Sequence, residues 1–205
     1  MNLEKPSSFV AGLILAAGRS ERMGTPKSNL AWGTTTVLGQ VIRSLGAGGL
    51  KCIYVVINPF RKPEIPEGFD DLKIVLIENP AAETSEMLKS IQIGLSSLPE
   101  EVQSVMVALG DQPTIRSEVI RKILRTVDDT GEGLIFPSYR HRRGHPWTVN
   151  REFWPEICSL SENETARTFI QAHASTIHYV NFDQDPPEDM DTPEMYQHLK
   201  QTSGM

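Results

Sequence analysis

Short apolar runs rich in β-branched residues alternate along this chain with longer stretches in which apolar positions recur every three or four residues. The first pattern predicts buried strands and the second amphipathic helices, so the expected class is α/β, a mainly parallel sheet flanked by helices. Strands are expected over 10–15, 52–57, 74–77, 104–109, 133–136, 147–150 and 177–180. A first helix spans about 37–45 and ends in Gly46-Ala47-Gly48-Gly49, where glycine accepts the left-handed conformation that closes helices. A second covers 85 to about 98, with Met87, Ile91 and Leu95 at helical spacing before Pro99 stops it. A third follows Pro113, and a last begins within Asp189-Met190-Asp191-Thr192-Pro193-Glu194. Asn58-Pro59-Phe60-Arg61-Lys62-Pro63-Glu64-Ile65-Pro66 carries too much proline for either element and reads as a surface loop. With no repeat, low-complexity tract or linker, residues 1–205 read as one domain.

Composition narrows the chemistry. A net charge of −6 leaves no general basic field for nucleic acid or an anionic membrane, so any anion site has to be local. Cys52 and Cys158 form no close pair, which points to two reduced, part-buried thiols rather than a disulfide framework or a zinc site. Neither a basic, cleavable leader nor an apolar run of ~18 residues is present, and a cytoplasmic protein is expected.

The first strand runs directly into Leu15-Ala16-Ala17-Gly18-Arg19-Ser20-Glu21-Arg22-Met23-Gly24-Thr25-Pro26-Lys27. Small residues at Ala16, Ala17 and Gly18 let backbone N–H groups approach an anion, while Arg22 and Lys27 bring positive charge, a combination suited to a triphosphate. Neither the Walker pattern nor the dinucleotide glycine pattern fits this loop. After the fourth strand comes Gly110-Asp111-Gln112-Pro113, which leaves Asp111 at the carboxyl end of a central strand, where open α/β sheets bind ligands. A carboxylate there suits Mg²⁺, which prefers one or two protein carboxylates together with phosphate oxygens, although an aspartate before a helix also serves as an N-cap. The same two readings apply to Asp191, since Asp191 or Thr192 caps a helix that has Pro193 in its first turn. A third cluster, Tyr139-Arg140-His141-Arg142-Arg143-Gly144-His145-Pro146, is densely basic and joins two strands. It reads either as a solvated loop or as a phosphate contact. Trp32, Phe153, Trp154 and Phe169 read as packing residues.

The first of these loops resembles the signature L-A-A-G-x-S-x-R-M-G-x-x-K of the MobA-like nucleotidyltransferases and, within them, the molybdenum cofactor cytidylyltransferases. Gly-Asp-Gln-Pro resembles their second signature, Asp189 to Glu194 their D-I-D-T-P-E-D with Met195 in place of the last acid, and Arg143-Gly144-His145-Pro146 their R-G-H-P. The helix around Met87, Ser90, Gly94 and Leu95 resembles G-M-x-x-S-L-x-x-G-L, with Glu86 in place of the leading glycine. The resemblance implies a Rossmann-like, GT-A-like domain that transfers CMP from CTP to molybdopterin with release of pyrophosphate. It also implies delivery of the product to a target molybdoenzyme. By the same resemblance Leu15, Ala16, Ala17, Gly18, Ser20, Arg22, Lys27 and Asp111 bind the nucleotide; Arg22, Lys27 and Asp111 are catalytic. Asp111 and Asp191 hold Mg²⁺, with Asp189 the alternative to Asp191, and Ser90, Arg143, Gly144, His145 and Pro146 meet the acceptor. Glu86 puts a charge where relatives have none, which supports a second reading, a related transferase using another base or a sugar or polyol phosphate; a third, a non-catalytic molybdenum cofactor carrier, is opposed by the complete set of Arg22, Lys27, Asp111 and Asp191.

Overall fold

The computed structural model describes residues 9–19 and 25–204. Strand β1 (Val10–Ala16) lies at the centre of the sheet, flanked in parallel by β4 (Cys52–Ile57) and β6 (Ser104–Leu109). Beyond β4 lies the parallel edge strand β5 (Lys73–Glu78). On the other side β9 (Trp147–Asn150) runs antiparallel between β6 and β7 (Leu134–Tyr139), and β10 (His178–Phe182) pairs in parallel with β7. The order is β10-β7-β9-β6-β1-β4-β5, with the short β8 (Arg142–Arg143) hairpinned onto β7. One antiparallel strand in the interior therefore reverses twice, and the carboxyl ends of β7 and β10 emerge on the same edge as those of β1, β4, β5 and β6. A separate two-stranded ribbon pairs β2 (Ala31–Trp32) with β3 (Thr35–Thr36).

Strand periodicity splits the core between the two faces of the sheet. Ala11, Leu13 and Leu15 with Val105 and Val107 face α2 (Met87–Ser96), α4 (Trp154–Ser159) and α5 (Ala166–Ala172). Ile14, Met106 and Ala108 face α1 (Val37–Gly48) and α3 (Ser117–Thr130). The predicted packing aromatics hold: Trp32, Trp154 and Phe169 are buried, and Phe153 packs edge-on against Phe169. A small third cluster joins Trp32, Val37 and Met190 to Leu199 of α6 (Pro193–Thr202), fastening the last helix across the ribbon.

The strand bounds follow the hydropathy pattern closely, β7 being longer than expected. The second helix is shorter at each end than expected, Met87–Ser96, and two other helix expectations and one loop expectation change. The first helix does not stop at Leu45; it continues to Gly48 and closes on Gly49 at φ 120°. Gly48 is there for contact, because a Cβ on it would lie 2.3 Å from Cγ2 of Ile120 on α3. The third helix starts at Ser117 rather than directly after Pro113, since Gln112 and Pro113 are buried in a turn. The proline-rich loop holds one 3-10 turn, Pro59–Arg61. Helices α4 and α5, six and seven residues long, have too little periodicity to be seen in sequence. Cys52 is buried as expected, whereas Cys158 is exposed. Among the described residues no helix is long and apolar enough to cross a membrane. Gly48→Ala should lower stability by about 1–3 kcal/mol through overpacking against Ile120, read from the urea midpoint at unchanged slope.

Candidate active site

Register brings the site together. Leu15 lies opposite Leu109, Ala16 opposite Ile57, and Ile57 opposite Glu78, so β6, β1, β4 and β5 end on one line. The residues that follow them, Gly110-Asp111, Ala17-Gly18, Asn58 and Asn79, therefore lie side by side across three strand spacings, about 14 Å. Most of that line borders a cavity of about 400 Å³, lined among others by Leu15, Ala16, Ala17, Gly18, Lys27, Ser90, Asp111, Asp189 and Asp191.

At one end of the cavity the Lys27 ammonium lies between two carboxylates, 3.1 Å from Asp111 Oδ2 and 2.7 Å from Asp191 Oδ1. Burial by itself would lower the Lys27 pKa; hydrogen bonds and charge from Asp191 and Asp111 outweigh it and hold the amine above its ordinary value. Asp111 has the opposite balance. Burial raises its pKa, the single Lys27 ammonium only partly opposes this, and the charge of Asp189 adds to the rise. The neighbouring Asp189 is tied elsewhere, its Oδ1 accepting 2.6 Å from Gln112 Nε2. Between the two aspartates, Met190 turns the other way into the apolar cluster with Trp32 and Leu199. Thr192 caps α6 by accepting from the Met195 N–H, and α3 starts with no side-chain cap, so neither Asp111 nor Asp191 is used as a helix cap.

The opposite wall was not foreseen. Asn58 and Asn79, both buried, follow adjacent strands, and each bonds its own backbone two residues on, to Phe60 N at 2.9 Å and Ala81 N at 3.0 Å. Asn58 Nδ2 then holds Glu83, which pairs with Arg61 at 3.3 Å; Asn79 Nδ2 reaches Ser90 at 3.0 Å and Ser85 at 3.4 Å. The signal in sequence was an Asn-Pro pair closing two successive strands. Glu86 precedes α2 without capping it and lies 3.9 Å from Arg19 at the cavity wall.

The basic run is divided. Arg140 and Arg142 are paired with aspartates after β10, while Arg143, its neighbour on β8, makes no such contact among the described residues. Arg143, Gly144, His145 and Pro146 do not line the cavity. They lie beside the loop that carries Asp189 and Asp191: the Tyr139 hydroxyl donates to the His145 carbonyl at 2.8 Å, and the charge of Asp189 acts on the His145 ring. Burial pushes that imidazole down to about 4, so it is neutral near pH 7. Ser20 and Arg22 lie outside the described residues.

Among the described residues no group of three or more His, Cys, Asp or Glu side chains forms a metal cage. The donor set nevertheless fits a magnesium-type ion, which needs only one or two carboxylates beside phosphate oxygens; the bridging ammonium marks the point between Asp111 and Asp191 as one that favours a cation.

Small residues, a lysine and two carboxylates gathered at one edge of a mainly parallel sheet suit a polyphosphate and a divalent ion, and the proteins this chain is related to are nucleotidyltransferases. The chain belongs to the family of the MobA-like NTP transferase domain, whose model matches residues 12–177. It is 26% identical over 194 residues to the molybdenum cofactor cytidylyltransferase of Escherichia coli (strain K12), covering 90% of this chain and 95% of that one. A probable molybdenum cofactor guanylyltransferase of Bacillus cytotoxicus is 28% identical over 132 residues, 62% of this chain and 61% of that one. The crystal structure of an Rv0371c homolog from Mycobacterium sp. strain JC1 superposes with a TM-score of 0.77 at 26% identity, covering 95% and 96% of the two chains. A structure of Rv0371C from Mycobacterium tuberculosis H37Rv, solved in complex with manganese, shares the fold with a TM-score of 0.73 at 21% identity, covering 94% and 98%.

Because the Asp111 carboxyl is raised in the folded chain, folding takes up a proton, and stability falls as pH rises from 3.8 through the folded value. Asp111→Asn removes that loss. It should melt no lower than the parent at pH 7 in metal-free buffer, while pyrophosphate release falls roughly a hundredfold or more.

Proposed function

We propose that this nucleotidyltransferase moves CMP from CTP to a molybdopterin-type acceptor. The observation that carries the reading is the Lys27 ammonium held between Asp111 and Asp191, at the mouth of a small-residue loop and inside a cavity. An oxygen of the acceptor phosphate attacks the α-phosphorus in line, the bond from α-phosphorus to the β-bridging oxygen breaks, and pyrophosphate leaves with that electron pair. The protein's part is positioning and charge neutralisation. Backbone N–H groups of Ala17, Gly18 and Ser20 cradle phosphate oxygens, and Lys27 with Arg22 offsets charge on the triphosphate. Asp111 and Asp191, with Asp189 the neighbouring alternative, would hold Mg²⁺, whose chemistry is Lewis-acid neutralisation of the α-phosphate and the departing pyrophosphate.

Support for cytidine comes from the resemblance of the Leu15-Ala16-Ala17-Gly18 loop to the signature of the molybdenum cofactor cytidylyltransferases and from 26% identity to one of them across most of both chains. For the acceptor, the basic run offers Arg143, whose guanidinium makes no ion pair among the described residues, beside the carboxylate loop. The nucleotide then lies along the strand ends and the acceptor arrives from the β8 side, with the product passed on to a molybdoenzyme in the cytoplasm. One observation favours a second reading. Glu86 brings a carboxylate to the cavity wall beside Arg19, where it can accept from hydroxyls or from the N–H edge of a base, which suits another base or a sugar or polyol phosphate acceptor.

Pyrophosphate release with Mg²⁺ and molybdopterin, measured side by side for CTP, GTP, ATP and UTP, tests the first reading. Release with CTP alone is expected; release with another nucleotide overturns the cytidine assignment, and binding of CTP without release removes molybdopterin as the acceptor. Arg143→Ala should leave the CTP dissociation constant unchanged and raise the acceptor KM about tenfold or more, the weight of one charge-assisted phosphate contact.

A further inference from the structure

Two residues, Arg140 and His141, join β7 to β8, and both have positive φ, 45° and 69°. A two-residue hairpin loop of this kind is ordinarily built from Asn-Gly or another glycine pair, because other side chains are strained there. Strain kept in place directs attention to what the side chains do. Arg140 spans two carboxylates, with Nε 3.0 Å from Asp183 Oδ1 and Nη1 3.1 Å from Asp185 Oδ2. Arg142 takes the other oxygen of Asp185 through Nη2 at 2.9 Å. The Arg140 backbone also donates to the Phe182 carbonyl at 3.1 Å, and Arg116 reaches Gln184 at 3.4 Å.

These aspartates open the segment 183–192, which runs from β10 to α6 and carries Asp189 and Asp191. Its far half is fixed by Met190 in the apolar cluster, by Gln112 on Asp189 and by Lys27 on Asp191. Its near half rests on the arginines and on Pro186, which passes over Gly144; a Cβ at Gly144 would lie 3.0 Å from the Tyr139 ring and 3.6 Å from Pro186 Cβ. A single exposed ion pair contributes little. Here three pairs share four side chains, and one guanidinium uses its fork to fix two carboxylates at once.

We infer that Arg140 and Arg142 are positioning residues that clamp the start of the carboxylate loop and so hold Asp191 in place for the divalent ion. The inference rests on the proposed function only in giving Asp191 that ion. Half of the basic run is thereby structural, and its charge serves the protein's own aspartates rather than the acceptor.

The test uses the full chain as parent, Arg140→Gly, Arg140→Lys, Arg142→Lys and Arg140→Gln/Arg142→Gln, with three readouts: melting temperature, amide hydrogen exchange over 183–191, and Mn²⁺ binding by electron paramagnetic resonance. Arg140→Gly relieves the left-handed strain, so its melting temperature should equal or exceed the parent's while exchange over 183–191 speeds up about tenfold and Mn²⁺ binds three- to tenfold more weakly. A merely structural role would lower melting temperature and Mn²⁺ affinity together. Arg142→Lys, which has one contact to keep, should behave as the parent; Arg140→Lys, which cannot span two aspartates but keeps the left-handed strain, should match Arg140→Gly in exchange and Mn²⁺ binding and melt lower than it. The double variant should leave the CTP KM unchanged and lower kcat. Parent-like exchange over 183–191 in both Arg140→Gly and the double variant overturns the clamp. If the parent itself takes up no Mn²⁺, the metal reading of Asp191 falls, and the exchange result alone decides whether the clamp exists.

Discussion

One ammonium between two carboxylates ties three distant parts of this chain together. Lys27 comes from the loop after the first strand, Asp111 from the end of β6 and Asp191 from the segment before the last helix. Burial alone would push the Lys27 pKa down and the Asp111 pKa up, and the attraction between the lysine and the two acids opposes both shifts. Withdrawing the lysine would take from both carboxylates the positive charge they have in common. The site is therefore a place where positive charge is required and where the protein supplies it from its own chain.

The sheet makes that contact possible. With β9 running antiparallel between β6 and β7, every other strand of the main sheet path ends on the same edge, and loops separated widely in sequence are gathered there. Met190 adds the last constraint: buried between Asp189 and Asp191, it forces its neighbours outward, one toward Gln112 and one toward Lys27. An apolar side chain thus sets the direction of two acidic ones.

Much of this could be read from the sequence. Strands announce themselves through β-branched runs, and the change from apolar alternation to small residues at Ala16, Ala17 and Gly18, or to Gly110 and Asp111, marks where a strand gives way to a ligand loop. Asn58 and Asn79 were missed because their meaning depends on β4 and β5 ending in register, a fact of pairing rather than of either segment. The basic run could be located but not divided, since nothing in five near-consecutive cationic or imidazole side chains says which face aspartates from a strand forty residues on. The short helices α4 and α5 lie below the length at which periodicity can be recognised.

The Lys27–Asp191 contact joins residues 164 positions apart. Chains grow from the amino terminus at a few residues per second, and the earlier parts collapse first. The first strand can form while the chain is being made, but the second carboxylate does not exist until the ribosome has passed residue 191, and the cover of Met190 by Trp32 and Val37 is completed only when Leu199 follows. A nascent chain can hold most of its sheet, with Lys27 already beside Asp111, before the second carboxylate exists. The three-way contact closes only with the last segment of the chain, so a chain that ends before it keeps the strands of the sheet and lacks the finished charge cluster.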